Sequence, residues 1–146
     1  MKTQTLNFLS LEYARTAKLS EKYFYKFNRY NTNFSTVLLY SNTVIDEALI
    51  KMHIRQSDKL VKLQDNFFYI VFDMTSQEKG LKAVENLLSL HESKYFSHKL
   101  YISFVNTEDY TDVETMKSHL FSLLNYAIKE NNYNQITDGF YELEHI

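Results

Sequence analysis

Compact apolar runs and amphipathic stretches alternate along this chain, and their spacing predicts its elements. Residues 36–40, TVLLY, and 67–72, FFYIVF, are nearly unbroken β-forming runs, the kind buried on both faces of a sheet. Residues 58–63 place Leu60 and Val61 beside Leu63, and residues 99–105, KLYISFV, make another strong strand. Gln64-Asp65-Asn66 interrupts two of these runs. Asp and Asn hydrogen-bond their own backbone and accept left-handed dihedrals, so a hairpin bend is predicted there. Residues 9–30 read as a long helix, with Leu9, Tyr13, Ala17, Phe24 and Phe27 at mostly three-to-four spacing. Arg15, Lys18, Glu21, Lys22 and Lys26 occupy its other faces. The asparagine-rich NRYNTNFS that follows has no regular period and ends it.

Two further helices follow the hairpin. Residues 76–91 carry Leu81, Val84, Leu87 and Leu88 as a stripe, with Thr75 or Ser76 as N-cap. Residues 112–130 carry Val113, Met116, Leu120, Leu123, Leu124 and Ala127, with Asn132 suited to the C-terminal cap. Residues 45–52 have room for one short helix, and 135–143 for a last strand.

Composition narrows the class. A chain of 146 residues, 45% hydrophobic and 16% aromatic, is long enough to bury a full core as a single domain. The domain is read as residues 1–146, an N-terminal helix over 1–30 and a body over 31–146. A net charge of −2 without a basic block argues against nucleic acid as a partner. The absence of cysteine excludes disulfides and thiolate metal sites and fits a cytoplasmic location. No apolar run approaches the ~18 residues of a membrane span, and MKTQTLNFLS lacks a secretory apolar core. Two glycines and no proline leave nothing from which to build a phosphate-cradling loop.

Candidate chemistry is sparse. His53, His91, His98, His119 and His145 show no paired ligand spacing, so no metal or cofactor is expected and surface or boundary positions are. The strand aromatics Phe67, Phe68, Tyr69 and Phe72 have no basic neighbours within their run, which reads as core packing or as a patch for a protein partner.

One constellation stands out. Arg55 and Asp58 precede the bend, five residues (59–63) separate them from it, and the bend reads QDNFF over Gln64, Asp65, Asn66, Phe67 and Phe68. Arg29-Tyr30 and Phe34-Ser35 stand before the first strand, Ser103 lies in KLYISFV, and Tyr126, Lys129, Asn134 and Ile136 close the last helix. This arrangement resembles the GGDEF domains, the bacterial diguanylate cyclases, in which an RxxD pair lies upstream of a Gly-Gly-(Asp/Glu)-Glu-Phe turn. The resemblance spans roughly residues 22–136. It implies an α+β palm, a mostly antiparallel central sheet with helices packed on it, preceded by the long N-terminal helix.

The resemblance also marks what has been lost. The two magnesium-binding carboxylate positions correspond to Tyr40, in Tyr40-Ser41-Asn42, and to Phe67. Only twelve residues separate Asn42 from Arg55, too few for the family's guanine-reading helix. Phosphoryl transfer from GTP relies on metal-held carboxylates, so the expectation is a catalytically inactive domain. RxxD in the family binds the product, cyclic di-GMP, away from the catalytic site. Arginine donates a fork to a guanine edge or a phosphate, and aspartate accepts from guanine N–H groups. A cyclic di-GMP receptor using Arg55 and Asp58 is therefore expected, with Lys82 and Asn86 as further contacts from the following helix. The alternatives are a local surface ion pair at Arg55 and Asp58, and a ligand-free module docking a protein partner, a homodimer included, through its N-terminal helix or aromatic surface.

Overall fold

The most apolar runs lie in the middle of the sheet, as their composition demands. The computed structural model describes residue 13 and residues 16–138. Within them β1 (Ser35–Ser41), β2 (Lys59–Gln64), β3 (Phe67–Phe72), β4 (Leu100–Asn106) and β5 (Gln135–Asp138) form one sheet in the order β2-β3-β1-β4-β5. β1 is antiparallel to both β3 and β4, and β2 is antiparallel to β3. β5 pairs parallel with β4, which makes the sheet mixed. Every residue of β3 and β4 is buried, whereas the edge strand β2 exposes Lys59, Lys62 and Gln64.

Among the described residues, four helices, α1 (Ala17–Tyr30), α2 (Glu47–Met52), α3 (Gln77–Lys94) and α4 (Val113–Lys129), cover the two faces. Successive strand residues point to opposite faces, so the sheet feeds two cores. Leu38, Phe67, Tyr69, Val71 and Tyr101 pack with Tyr23 and Phe24 of α1 and Leu120, Leu123 and Leu124 of α4. Val37, Leu39, Phe68, Ile70, Phe72, Ile102 and Phe104 pack with Ile50 of α2 and Val84 and Leu87 of α3. The strand and helix positions agree with the sequence reading to within a few residues. The expected long first helix is supported only over Ala17–Tyr30, and residues 9–12, 14 and 15 lie outside the described residues. The last strand runs over Gln135–Asp138, and residues 139–143 again lie outside them.

Helix ends are settled by local chemistry. Ser76 caps α3 by accepting from the Lys79 amide, while Thr75 is buried and bonds Ser35 and the Phe72 carbonyl. The left-handed residue after α4 is Asn131, at φ 60°, and not Asn132. The Asn132 amide reaches the Ala127 carbonyl and the Asn131 amide that of Ile128, a Schellman closure that positions Asn131 at C′.

Gly80 marks where α3 comes closest to the sheet. A methyl group there would lie 2.9 Å from the Phe104 ring and closer still to Ser35 Oγ. Ser35 Oγ is itself held by Thr75 and by Asn106 Nδ2 at 2.7 Å, so it has no room to yield. Overpacking of this kind costs about 1–3 kcal/mol. Gly80→Ala is therefore expected to lower the urea midpoint even though alanine favours helix, and an unchanged midpoint would refute this close approach.

Histidines were expected at the surface or its boundary, yet His91 is 4% exposed and its Nε2 has no hydrogen-bond partner. It continues the buried stripe of α3 through Gly80, Val84 and Leu87, seven residues past Val84. Its ring lines a cavity of about 20 Å³ together with Leu39, Ile45, Leu88 and Leu100. Burial pushes its pKa below 6.5, the nearby His98 adds to this, and Asp46 opposes. The folded state thus keeps His91 neutral while the unfolded chain takes up a proton. Its stabilising contribution is complete above pH 6.5 and lost as pH falls below that value through the depressed folded pKa. Thermal melts should drop on going from neutral pH to pH ~5, and His91→Leu should flatten that dependence; an equally steep curve in the variant would count against this account.

Candidate functional site

The hairpin and the end of β1 meet at Tyr40 and Phe67. Tyr40 and Phe67 are directly opposite in the β1–β3 register. Their rings pack edge to face, 5.8 Å apart at 90°, and Phe67 also meets Phe121 at 6.5 Å. Phe67 is fully buried and Phe68 equally so on the other core. Gln64 ends β2, Asp65 and Asn66 form the two-residue turn, and the β2–β3 register shifts between Lys62 and Gln64. The expected bend is therefore present, formed without positive φ at either turn residue, and the register shift leaves one residue of β2 unpaired beside it.

The nearest carboxylate in sequence points away. Asp65 is 71% exposed and pairs with Lys62 at 3.0 Å. Asn66 Nδ2 donates to the Ser41 carbonyl, the Ile45 amide donates to the Asp65 carbonyl, and Asn42 Oδ1 accepts from the Lys99 amide. The first two bonds draw the short connection between β1 and α2 onto the hairpin, and the third ties it to the start of β4. Just beyond, Asp46 is held at a pKa of about 2 by Lys94, then Tyr95 and the Leu49 amide. Among the described residues no group of three or more His, Cys, Asp or Glu is placed to hold a metal ion.

Arg55 and Asp58 close a different structure at the other end of β2. The Asp58 amide donates to the Arg55 carbonyl at 3.0 Å, and Asp58 Oδ2 accepts from the Arg55 amide at 2.8 Å and from its Nε at 3.3 Å. Asp58 Oδ1 accepts from Arg55 Nη2 at 3.0 Å and from the Asp73 amide at 3.1 Å. Arg55 Nη2 also donates to the Asp73 carbonyl, so the pair staples the start of β2 to the end of β3. The two side chains differ sharply in burial: Arg55 is 53% exposed and Asp58 1%. A surface pair was one reading of these residues, but Asp58 is interior and both its oxygens are already occupied. The bonds of the Arg55 guanidinium among the described residues use Nε and Nη2, and its side chain is the exposed member of the pair.

The network extends to α1. Lys26 Nζ lies 3.2 Å from Asp73 Oδ2 and 5.4 Å from the centre of the Tyr23 ring. Burial raises the Tyr23 pKa, and the charges of Asp73 and Asp58 raise it further. Asp73 and Lys26 are therefore members that sequence reasoning missed. No local signal marks them, since Lys26 and Asp73 are 47 positions apart. Lys82 and Asn86 are exposed one turn apart on α3, which covers the opposite face of the sheet from α1. No hydrogen bond or ion pair among the described residues joins either to Arg55 or Asp58.

No family model matches the sequence, and no curated protein matches it either. Solved structures do match the fold. A microbial GGDEF domain studied with cyclic di-GMP superposes with a TM-score of 0.67 at 11% identity, over 85% of this chain and 91% of that one. The GGDEF domain of YfiN (TpbB) from Pseudomonas aeruginosa gives 0.67 at 14% identity, over 84% and 93%. That of DgcB from Caulobacter crescentus, in complex with cyclic di-GMP, gives 0.62 at 10% identity, over 83% and 84%. The chain has the GGDEF fold. No helix among the described residues is long and apolar enough to cross a membrane.

Proposed function

We propose that this chain is a non-catalytic signalling domain of the GGDEF fold. The observation that carries this reading is the Tyr40–Phe67 ring pair, apolar and closely packed where phosphoryl transfer from GTP would call for metal-held carboxylates. Incubation with GTP and magnesium or manganese should yield no cyclic di-GMP by chromatography. Product above a heat-killed control overturns it.

The ligand we assign to the domain is cyclic di-GMP, and the contact is Arg55. Its guanidinium is held by Asp58 and the Asp73 carbonyl through Nε and Nη2 on a side chain more than half exposed, which orients a donor fork toward a phosphate or a guanine edge. Asp58 serves in this reading as the residue that aims Arg55, because its own oxygens are filled from within. Lys82 and Asn86 have no tie to the pair, so the reading rests on Arg55. Calorimetric titration with cyclic di-GMP should show binding that Arg55→Ala weakens roughly ten-fold. Absence of heat and of any thermal shift at high micromolar ligand would leave the second reading, a protein-interaction module. The exposed rings of Tyr25, Tyr30 and Phe96 favour that alternative.

A further inference from the structure

The void beneath α2 is walled almost entirely by aliphatic carbon, and a single unengaged polar residue borders it. Leu39 and Leu100 of the sheet, Ile45 and Ile50, and the facing Leu49 and Leu88 form much of the wall. His91, only 4% exposed, brings an Nε2 without a hydrogen-bond partner among the described residues. The other polar lining residue is Asp46, and both its oxygens are engaged. Oδ1 accepts from the Leu49 amide at 3.1 Å, and Oδ2 from Lys94 at 2.9 Å and the Tyr95 hydroxyl at 2.7 Å.

A void of about 20 Å³ admits one water-sized group. Water itself is poorly served there, because a buried water needs two to four polar partners. An alkyl group alone would leave Nε2 buried without a bond, which is unfavourable. A charged headgroup fares worse, since it loses its hydration and Asp46 is already paired with Lys94. A hydroxyl carried on an aliphatic chain meets both demands, because a neutral imidazole nitrogen either donates to it or accepts from it. The void also lies one layer below the surface: Leu49 of α2 and Leu88 of α3 are half-buried and stand between it and solvent. α2 is six residues long and buries only Ile50. Turning the two leucines outward therefore opens a cleft between the helices without disturbing the sheet.

We propose that this cleft binds an uncharged aliphatic alcohol, its hydroxyl on His91 Nε2 and its chain between Leu49 and Leu88. The site shares no residue with the Arg55 contact and does not depend on it. Titration of the full chain with n-hexanol, followed by proton–nitrogen correlation NMR, tests it. Saturable shifts should be confined to α2, the second half of α3 and the adjoining ends of β1 and β4, with the His91 ring nitrogen shifting as it gains a bond. From n-butanol to n-hexanol the affinity should rise about three- to four-fold per methylene, while hexanoate and hexylammonium should not bind. His91→Leu should stay folded among its aliphatic neighbours and weaken n-hexanol about five-fold. Leu88→Trp should close the entrance and abolish the shifts while retaining the thermal melt. Shifts scattered over the surface or absent at millimolar n-hexanol, undiminished binding by either variant, or hexanoate binding as well as the alcohol would each overturn the proposal.

Discussion

Asp58→Ala is expected to destabilise the domain by about 2–4 kcal/mol, lowering its melting temperature by roughly 5–12 °C. Both Asp58 oxygens accept bonds from within the chain, and one of the donors is the buried Asp73 amide. Alanine leaves that amide without a partner and frees the Arg55 amide that closes the loop. Arg55→Ala removes a side chain more than half exposed and should cost only ~1 kcal/mol or less. A surface ion pair would give small effects for both substitutions; burial separates them. Asp58→Asn keeps one acceptor and should fall between. Circular-dichroism melts of the three variants decide the matter, and an Asp58→Ala melt indistinguishable from wild type would show that the staple between β2 and β3 contributes nothing.

Placing carboxylates at positions 40 and 67 should unfold the protein. In a Tyr40→Asp, Phe67→Glu double variant, the new glutamate replaces a ring with no solvent exposure, packed against Tyr40 and Phe121. Loss of a buried phenylalanine costs about 3–5 kcal/mol, and an unpaired buried carboxylate adds several more. Together these approach the whole stability of an ordinary domain, about 5–15 kcal/mol. Near-ultraviolet circular dichroism should show lost side-chain packing, while Phe67→Leu should remain folded with a lowered urea midpoint. A folded double variant that converted GTP to cyclic di-GMP would mean that two substitutions alone separate this chain from a cyclase.

The fold bears on how each of these residues was read. Residues 67–72 announce a doubly covered strand because all six are apolar, and the same composition places β3 inside the sheet. The stripes at Val84 and Leu87 and at Leu120, Leu123 and Leu124 specify which side of each helix turns inward, since three-to-four spacing fixes a face without reference to any partner. The RxxD spacing likewise allows Asp58 to reach back to the Arg55 amide, a purely local bond. Whether Asp58 is exposed depends on the Asp73 amide, fifteen residues on, closing over it. The link from Lys26 to Asp73, the parallel pairing of β5 with β4, and the burial of His91 beneath α2 likewise join segments far apart in the chain. Apolar periodicity is written residue by residue, so the sequence by itself determined the elements and their inward faces. The burial of a polar group is a property of what packs over it from elsewhere, and only the tertiary structure decided that.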